Sequence, residues 1–511
     1  MLIFLYQFFR YRSIANLEEY FMTQERLDHK TFKSAGPSLI LQVLSQGIQL
    51  MVGILLLRLL EPRDYGIWGI LGIFWSVGSI FLWGGFGTAL TQKKEVNKHD
   101  LDSVFYYNMA MAGFCALLLF LSAGWLADFF DQPVLKPVMN VILWTFPISA
   151  AGAIQYILLN RQMRQDLVNL AIFIGQVAAI PPTLYIAWKG YGVWALAWQM
   201  FFSQCVSTVT VFCFCHWIPG LNFSFKALGT LFKYGSNILF AGLLDNIFMN
   251  IYNVVIGKIY PIATLGYYER GRQYAVIWPQ SVQMTIGNVL FAAFSKIQED
   301  IPRLKTAVIE SLKMSVFITF FPSLLIAVLG VPFVTIVFSE KWLPIVPYFQ
   351  TLTLSFVLMP LSALNLQILN ARGRSGVYLG LVSLNKVFVV INILSTVWFT
   401  VMAMVWGMVV VSCVSLYFNT RYTKRLLGYG LRLQALDSLP YLIYSLISSG
   451  AAWGLYRLLW PVNHWLGLLV PMAAGCVVYL LLNIFCYSPA FDTAWRLLKE
   501  QFVERRKKVE S

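Results

Sequence analysis

The sequence predicts an all-α polytopic membrane protein of about 14 transmembrane helices, built as two pseudo-symmetric six-helix lobes plus a C-terminal helix pair. Three observations carry this expectation. Of 511 residues, 58% are hydrophobic and 12% charged, whereas soluble domains carry about 25% charged residues. Apolar runs of about 20 residues, each long enough to cross a hydrocarbon core of about 30 Å as a helix, recur along the chain. The chain also repeats itself at a nearly constant offset. A single-anchor receptor is excluded by the number of runs, and an outer-membrane barrel by their continuity, since its strands alternate apolar and polar residues.

Taken in order, the expected spans are residues 36–57, 66–90, 103–127, 137–159, 167–188, 191–215, 232–257, 273–294, 314–338, 345–369, 376–396, 400–420, 440–459 and 465–486. Residues 387–418 carry no charge, so a hairpin near Thr400 is argued from length alone. The domain layout follows: residues 1–33 an N-terminal segment, 34–216 the first lobe, 217–231 a linker, 232–423 the second lobe, 424–439 a second linker, 440–487 the last two spans and 488–511 a basic tail.

The net charge of +15 would suggest nucleic acid in a soluble chain, but here Lys and Arg sit in short loops between spans. Sixteen fall in one alternate set of loops, from Lys93 to Arg432, and nine in the other, from Arg58 to Arg457. The positive-inside rule then places both termini on the cytoplasmic side. The tail, in which Trp495, Leu497, Leu498 and Phe502 interleave with basic residues from Arg496 to Lys508, reads as an amphipathic helix on anionic lipid. The apolar run Met1–Arg12 is too short to span, and reads as an interfacial anchor or as sequence preceding a start at Met22.

The seven cysteines all lie in apolar segments and read as small buried hydrophobes, not as a disulfide framework. Cys213-Phe214-Cys215-His216 lacks the other half of a ligand set, so no metal is expected, and no cofactor motif or P-loop is present.

Three segments recur. Leu57 to Trp68, containing Glu61-Pro62 and Gly66, matches Ile256 to Tyr268, containing Tyr260-Pro261 and Gly266, at an offset of 200. Leu159-Asn160 with Arg164 matches Leu369-Asn370 with Arg374 at 210, and Val193-Trp194 matches Val405-Trp406 at 212. Six spans per repeat is an even number, so the halves share one orientation, the parallel-repeat arrangement of transporters.

Candidate functional residues are the polar groups inside apolar spans. Gln42, Ser45, Gln46 and Gln49 recur at helical spacing and make one face of the first span polar. The seventh span carries Asp245, Asn246, Asn250 and Asn253, with Asp245 on Ser45 and Asn246 on Gln46 at the offset of 200. Such stripes line a hydrated route or make interhelical hydrogen bonds. Asp245 and Lys386 are ionisable at membrane depth, which marks a transport role or mutual neutralisation. Arg270 and Arg272 suit an anionic head group or an interfacial anchor, while the many Trp and Tyr residues read as interfacial belts.

The wording of four segments is itself informative: Gly85-Phe86-Gly87-Thr88-Ala89-Leu90-Thr91-Gln92-Lys93-Lys94-Glu95, Ala127-Asp128-Phe129-Phe130-Asp131-Gln132-Pro133, Leu265-Gly266-Tyr267-Tyr268-Glu269-Arg270, and Phe291 to Asp300. From about Lys33 to Leu427 the chain resembles the Wzx-type polysaccharide flippases, in the colanic-acid and teichuronic-acid exporter-like branch of the multidrug/oligosaccharidyl-lipid/polysaccharide exporter superfamily. The resemblance implies two six-helix lobes around a cavity, alternating access, and movement of undecaprenyl-diphosphate-linked oligosaccharide to the periplasmic leaflet of the bacterial inner membrane. It further implies a lipid-linked oligosaccharide substrate, membrane lipids, a coupling ion (proton or Na⁺) and a polysaccharide polymerase and assembly machinery as partners. The chain departs from the family pattern in the seventh span, where Met249, Tyr252 and Asn253 replace an Arg followed by an Asp-Asn pair. A drug or metabolite antiporter and a peptidoglycan-precursor flippase are rival readings. An enzyme, such as a polymerase or ligase, would need a large outside domain, and no expected outside connection exceeds about 15 residues.

Overall fold

The computed structural model describes residues 25–83, 86–93, 96–220 and 223–496, and among these the regular structure is helical. The expected anchor at Met1–Arg12 and nearly all of the amphipathic tail lie outside the described residues. The helices are α1 (Glu25–Leu59), α2 (Pro62–Trp83), α3 (Phe86–Gln92), α4 (Lys98–Phe129), α5 (Leu135–Leu143), α6 (Thr145–Arg161), α7 (Gln165–Trp188), α8 (Trp194–Phe214), α9 (Phe225–Ile259), α10 (Ile262–Lys296), α11 (Ile301–Val328), α12 (Gly330–Val337), α13 (Ile345–Phe356), α14 (Met359–Ala371), α15 (Ser375–Thr396), α16 (Val401–Leu427), α17 (Leu431–Leu459) and α18 (Leu466–Phe485).

Among the described residues, twelve stretches are long and apolar enough to cross a membrane, against the 14 expected. The chain is a multi-pass membrane protein. The two remaining expected spans are the helices α10 and α17, of 35 and 29 residues, which fall short on composition: within the expected spans α10 carries Gln273, Gln280, Gln283 and Asn288, and α17 carries Ser445, Ser448, Ser449 and Arg457. Spans four and ten, expected as single helices, are each broken, at Trp144 and at Val357–Leu358. Pro147 and Pro360 stand in the first turns after the breaks, where a residue lacking an N–H is tolerated and a helix interior would not accept it. Span nine is likewise divided, at Leu329, into α11 and α12. The uncharged 387–418 stretch does turn, at Val397–Thr400, and the Thr400 hydroxyl accepts from Ala403 N–H at 3.1 Å to open α16.

Contacts divide the described residues into two compact units, one within Met22–Glu269 and one within Arg270–Ser511. In the first, α1 packs along α7, where Asn169 Nδ2 donates to the hydroxyl of buried Ser38 at 2.7 Å. Helices α4, α6 and α8 form the centre, and α9 packs against α2, α3 and α4. In the second, α11 is the central helix, covered by α13, α14 and α17 around an apolar cluster that includes Leu304, Leu312, Leu364, Ile368 and Leu427. Helix α17 is docked by an exchange of amides: Asn365 Nδ2 donates to Gln434 Oε1 at 3.0 Å and Gln434 Nε2 to Asn365 Oδ1 at 2.8 Å, both residues being buried. Nearby, Asp437 accepts from Lys313 Nζ at 3.0 Å and from Tyr429 OH at 2.7 Å. Burial pushes the Tyr429 phenol far above its usual range, and the adjoining carboxylate pushes it further.

Two of the three sequence repeats reappear as repeated backbone. Leu60 N–H bonds Leu56 O at 2.8 Å and Asp64 N–H bonds Glu61 O at 3.0 Å, and 200 residues on, Tyr260 N–H bonds Ile256 O at 3.0 Å and Thr264 N–H bonds Pro261 O at 2.8 Å. Met163 and Gly373 both take the left-handed region, with φ of 58° and 67°, and Arg164 N–H to Leu159 O and Arg374 N–H to Leu369 O are both 2.9 Å. The third match does not recur: Trp194 opens α8, whereas Trp406 stands five residues inside α16.

The first pair of turns meets. A Cβ on Gly66 would fall on the Ile262 carbonyl, and one on Gly266 on the Pro62 carbonyl. The contact is reciprocal at the same offset of 200, so the first turns of α2 and α10 cross backbone to backbone, which only glycine permits. The turns beside this crossing are also tied. Asp64 accepts from Glu61 N–H at 3.0 Å and Val193 N–H at 3.1 Å, Arg63 donates to Gln132 at 3.1 Å, and Lys258 pairs with Asp131 at 3.3 Å.

The cysteine expectation needs correction. Cys115 and Cys215 are buried, but Cys213, Cys413 and Cys476 are exposed on helix surfaces and Cys486 is exposed just after α18. In a bilayer a small apolar thiol is as well solvated by lipid as by protein, so an apolar segment does not imply burial.

Candidate functional site

The stripe of the first span stays uncommitted. Gln42, Gln46 and Gln49 are exposed and Ser45 half-buried on α1, which packs within its unit along α7. Among the described residues none of the four side chains makes a hydrogen bond that would account for a polar face on an apolar helix. A stripe facing hydrocarbon would leave these amides unsatisfied, so its physical partner is water or a polar ligand.

The matching stripe on α9 is different. Asn246 and Asn250 are half-buried and turned toward α2, where Ser76 Oγ donates to Asn246 Oδ1 at 2.8 Å. Asn250 Nδ2 donates to Asn246 Oδ1 at 2.9 Å and reaches Ser76 Oγ at 3.3 Å. Asn253 is buried with its Oδ1 unpartnered, while Asp245 is exposed. The three-residue network orients the Asn246 amide, with its oxygen taken by two donors. Each such bond is worth about 0.6–2 kcal/mol in a membrane.

In the second unit Lys386 is half-buried on α15, and the neighbouring Asn385 donates to Ser415 Oγ of α16 at 2.6 Å. Arg270 donates to Gln273 one turn on, and Arg272 is half-buried in the same helix. Among the described residues no group of three His, Cys, Asp or Glu side chains converges in a way that could hold a metal ion.

Sequence reasoning missed Ser76, one of two serines, with Ser79, in an otherwise apolar stretch of α2 too short to read as a stripe. It also missed the α16 face Ser412, Ser415, Asn419 and Thr423, whose helical spacing was readable. That face is mostly buried against α13, α14 and α15, where Ser355 and Ser412 share a hydrogen bond of 2.6 Å.

The α1 stripe gives a direct prediction. In a background free of native cysteines, Gln46→Cys should react with a water-soluble maleimide, and Asn246→Cys, behind Ser76, more slowly. If Gln46→Cys stays inert under every condition while a cysteine at the exposed linker residue Ile218 labels, the α1 stripe meets no water.

The fold resembles that of lipid II flippase MurJ in an inward closed conformation, with a TM-score of 0.72 at 14% identity over 88% of this chain and 98% of that one. An inward-facing multidrug resistance MATE family transporter gives 0.59 at 15% identity, over 75% and 95%. In sequence the chain is 24% identical over 333 residues to lipopolysaccharide biosynthesis protein WzxC of Escherichia coli K12, covering 64% of this chain and 67% of that protein. It is also 24% identical to succinoglycan biosynthesis transport protein ExoT of Rhizobium meliloti, over 63% and 65%, and to teichuronic acid biosynthesis protein TuaB of Bacillus subtilis, over 57% and 61%. The aligned stretch thus spans roughly two thirds of these relatives' length. The model of the family described as polysaccharide biosynthesis protein matches residues 55–347, more than half of the chain, and the chain therefore belongs to that family.

Proposed function

We propose that this protein is a flippase that moves undecaprenyl-diphosphate-linked oligosaccharide from the cytoplasmic to the periplasmic leaflet of the bacterial inner membrane, for exopolysaccharide or lipopolysaccharide synthesis. It works as two like lobes, residues 34–216 and 232–423, that alternate in access, with residues 440–487 appended and both termini cytoplasmic. It is a transporter and not an enzyme. The observation that carries this reading is the uncommitted polar stripe Gln42, Ser45, Gln46 and Gln49 on an otherwise apolar helix, in a chain of this family and fold. A diphosphate with hydrated sugars crosses hydrocarbon only where polar groups replace its water, because an unpaired charge there costs many kcal/mol. Asp245, Asn246, Asn250, Asn253 and Lys386 complete the substrate route, with Arg270 and Arg272 as head-group contacts, and a proton or Na⁺ drives the cycle. The relatives named for polysaccharide biosynthesis favour this substrate over a drug.

The test is deletion in the native host. Loss of surface polysaccharide with accumulation of lipid-linked oligosaccharide on the cytoplasmic leaflet is expected, with both reversed by the wild-type gene. Normal polymer in the deletion strain, or accumulation of unlinked sugar nucleotides instead, would refute the reading.

A further inference from the structure

The two halves treat their equivalent cations differently. Arg164 and Arg374 occupy the same backbone position at the offset of 210, in the second of the two matched pairs of turns. In the first half Arg164 holds Asp166 with two bonds of 3.2 Å, but the residue equivalent to Asp166 is Gly376. Arg161, beside it, donates to three carbonyls at the end of α3, those of Leu90, Thr91 and Lys93, at 2.7 to 3.0 Å. Lys93 is in turn paired with Asp100 at 2.6 Å. The first half thus spends Lys93, Arg161 and Arg164 on its own acids and a helix end, while Lys98 is exposed.

The second half does not. Arg372 is half-buried, Arg374, Lys424 and Arg432 are exposed, and among the described residues neither they nor Lys305 has a carboxylate within 4.0 Å. Their turns converge: Leu304, Ala371, Leu427 and Tyr429 belong to one apolar cluster, and Lys305 Nζ lies 3.9 Å from the place of a Cβ on Gly428. Asp437, the acid beneath them, is already held by Lys313 and Tyr429, and Asp300 caps α11 through Arg303 N–H at 3.1 Å. Positive-inside topology requires basic loops but not unpaired ones.

We propose that the turns 371–375 and 427–432, with Lys305, form a docking site for the phosphate-bearing head group of a lipid. Three planar guanidiniums, of Arg372, Arg374 and Arg432, and two ammoniums, of Lys305 and Lys424, suit the concentrated charge of a diphosphate, which guanidinium groups bind through paired hydrogen bonds. Two lipids carry this chemistry, an isoprenoid diphosphate and an ambient anionic phospholipid. The first identity rests on the flippase reading above and would make the patch the first encounter point of the carrier at the cytoplasmic surface.

The experiment uses the full-length protein in phosphatidylcholine nanodiscs, titrated with farnesyl diphosphate, with farnesol as the uncharged control. Wild type should bind the diphosphate and not the alcohol, more weakly as salt is raised. Combined Arg372→Gln, Arg374→Gln and Lys424→Gln should weaken binding by about tenfold or more. Arg374→Lys should keep most of the binding, which guards against a folding defect, and Arg164→Gln in the first half should leave it unchanged. Unaltered binding by the triple variant, or an equal loss in Arg164→Gln, overturns the proposal. Nanodiscs of phosphatidylglycerol identify the source: competition assigns the site to ambient phospholipid, and its lack to the isoprenoid diphosphate. Polysaccharide export is measured separately. Intact binding without any role in export would refute the flippase reading and leave the docking site standing.

Discussion

Gly66→Ala, like Gly266→Ala, should be strongly destabilising, and Gly66→Leu should leave no folded protein in the membrane. A Cβ at Gly66 meets the Ile262 carbonyl, and its mate at Gly266 meets the Pro62 carbonyl, so the obstacle is backbone on both sides and no rotamer change relieves it. Overpacking costs about 1–3 kcal/mol where side chains can yield, and more where they cannot. The turns around the crossing cannot drift apart freely, because Asp64 is bonded to Val193 N–H and Lys258 to Asp131. Gly113, in the middle of α4, is the control: a Cβ there has nothing within 4 Å, and alanine should stabilise the helix by up to about 1 kcal/mol. Thermal unfolding of the purified variants in detergent checks both signs. Equal midpoints for Gly66→Ala and Gly113→Ala would show that α2 and α10 do not cross as described.

The second large effect is expected at the amide pair that docks α17. Asn365→Leu removes one partner of two mutual hydrogen bonds and leaves Gln434 buried, with only Tyr429 O at 3.1 Å to receive its NH₂. An orphaned buried amide costs about 1–3 kcal/mol, beyond the modest value of the bonds themselves. Gln434→Leu should cost a similar amount for the reciprocal reason. The double variant, with neither amide left unpaired, should recover most of the loss, and thermal midpoints of the four proteins form the cycle that measures it. Strict additivity of the two single losses would mean that the residues do not act as a pair. Ser438, which donates to Gln434 O at 2.7 Å, is unaffected by either change, because that bond uses backbone.

Much of the fold was legible in the sequence because the bilayer leaves few options. Every backbone polar group must be satisfied locally, so a long apolar run is a helix. That reasoning located the helices and the turn near Thr400, and it found the two repeated turns around Gly66 and Gly266 and around Arg164 and Arg374, because these are set by backbone geometry within a few residues. It counted 14 spans where twelve meet the apolar criterion, because α10 carries amide side chains such as Gln273, Gln280 and Gln283, and α17 buries Gln434 and four serines against protein, so both are less apolar than a lipid-facing helix need be. It also read spans four and ten through their breaks, since proline in a first turn and proline in a kink look alike in a string of letters.

The candidate site divides along the same line. Periodicity places Gln42, Ser45, Gln46 and Gln49 on one face of α1, and Asn246 and Asn250 on one face of α9, since that is a property of 3.6 residues per turn. Which neighbour a face meets is another matter. Ser76 lies 170 residues from Asn246, and the equivalence of Arg164 with Arg374 says nothing of Asp166 against Gly376 until both turns are in place. By itself the sequence determined the membrane class, the helices and the internal repeat, all of which follow from local hydrogen bonding and the hydrophobic effect. Only the tertiary structure decided which polar groups are spent on packing and which remain for a ligand, because that depends on side chains brought together across more than a hundred residues.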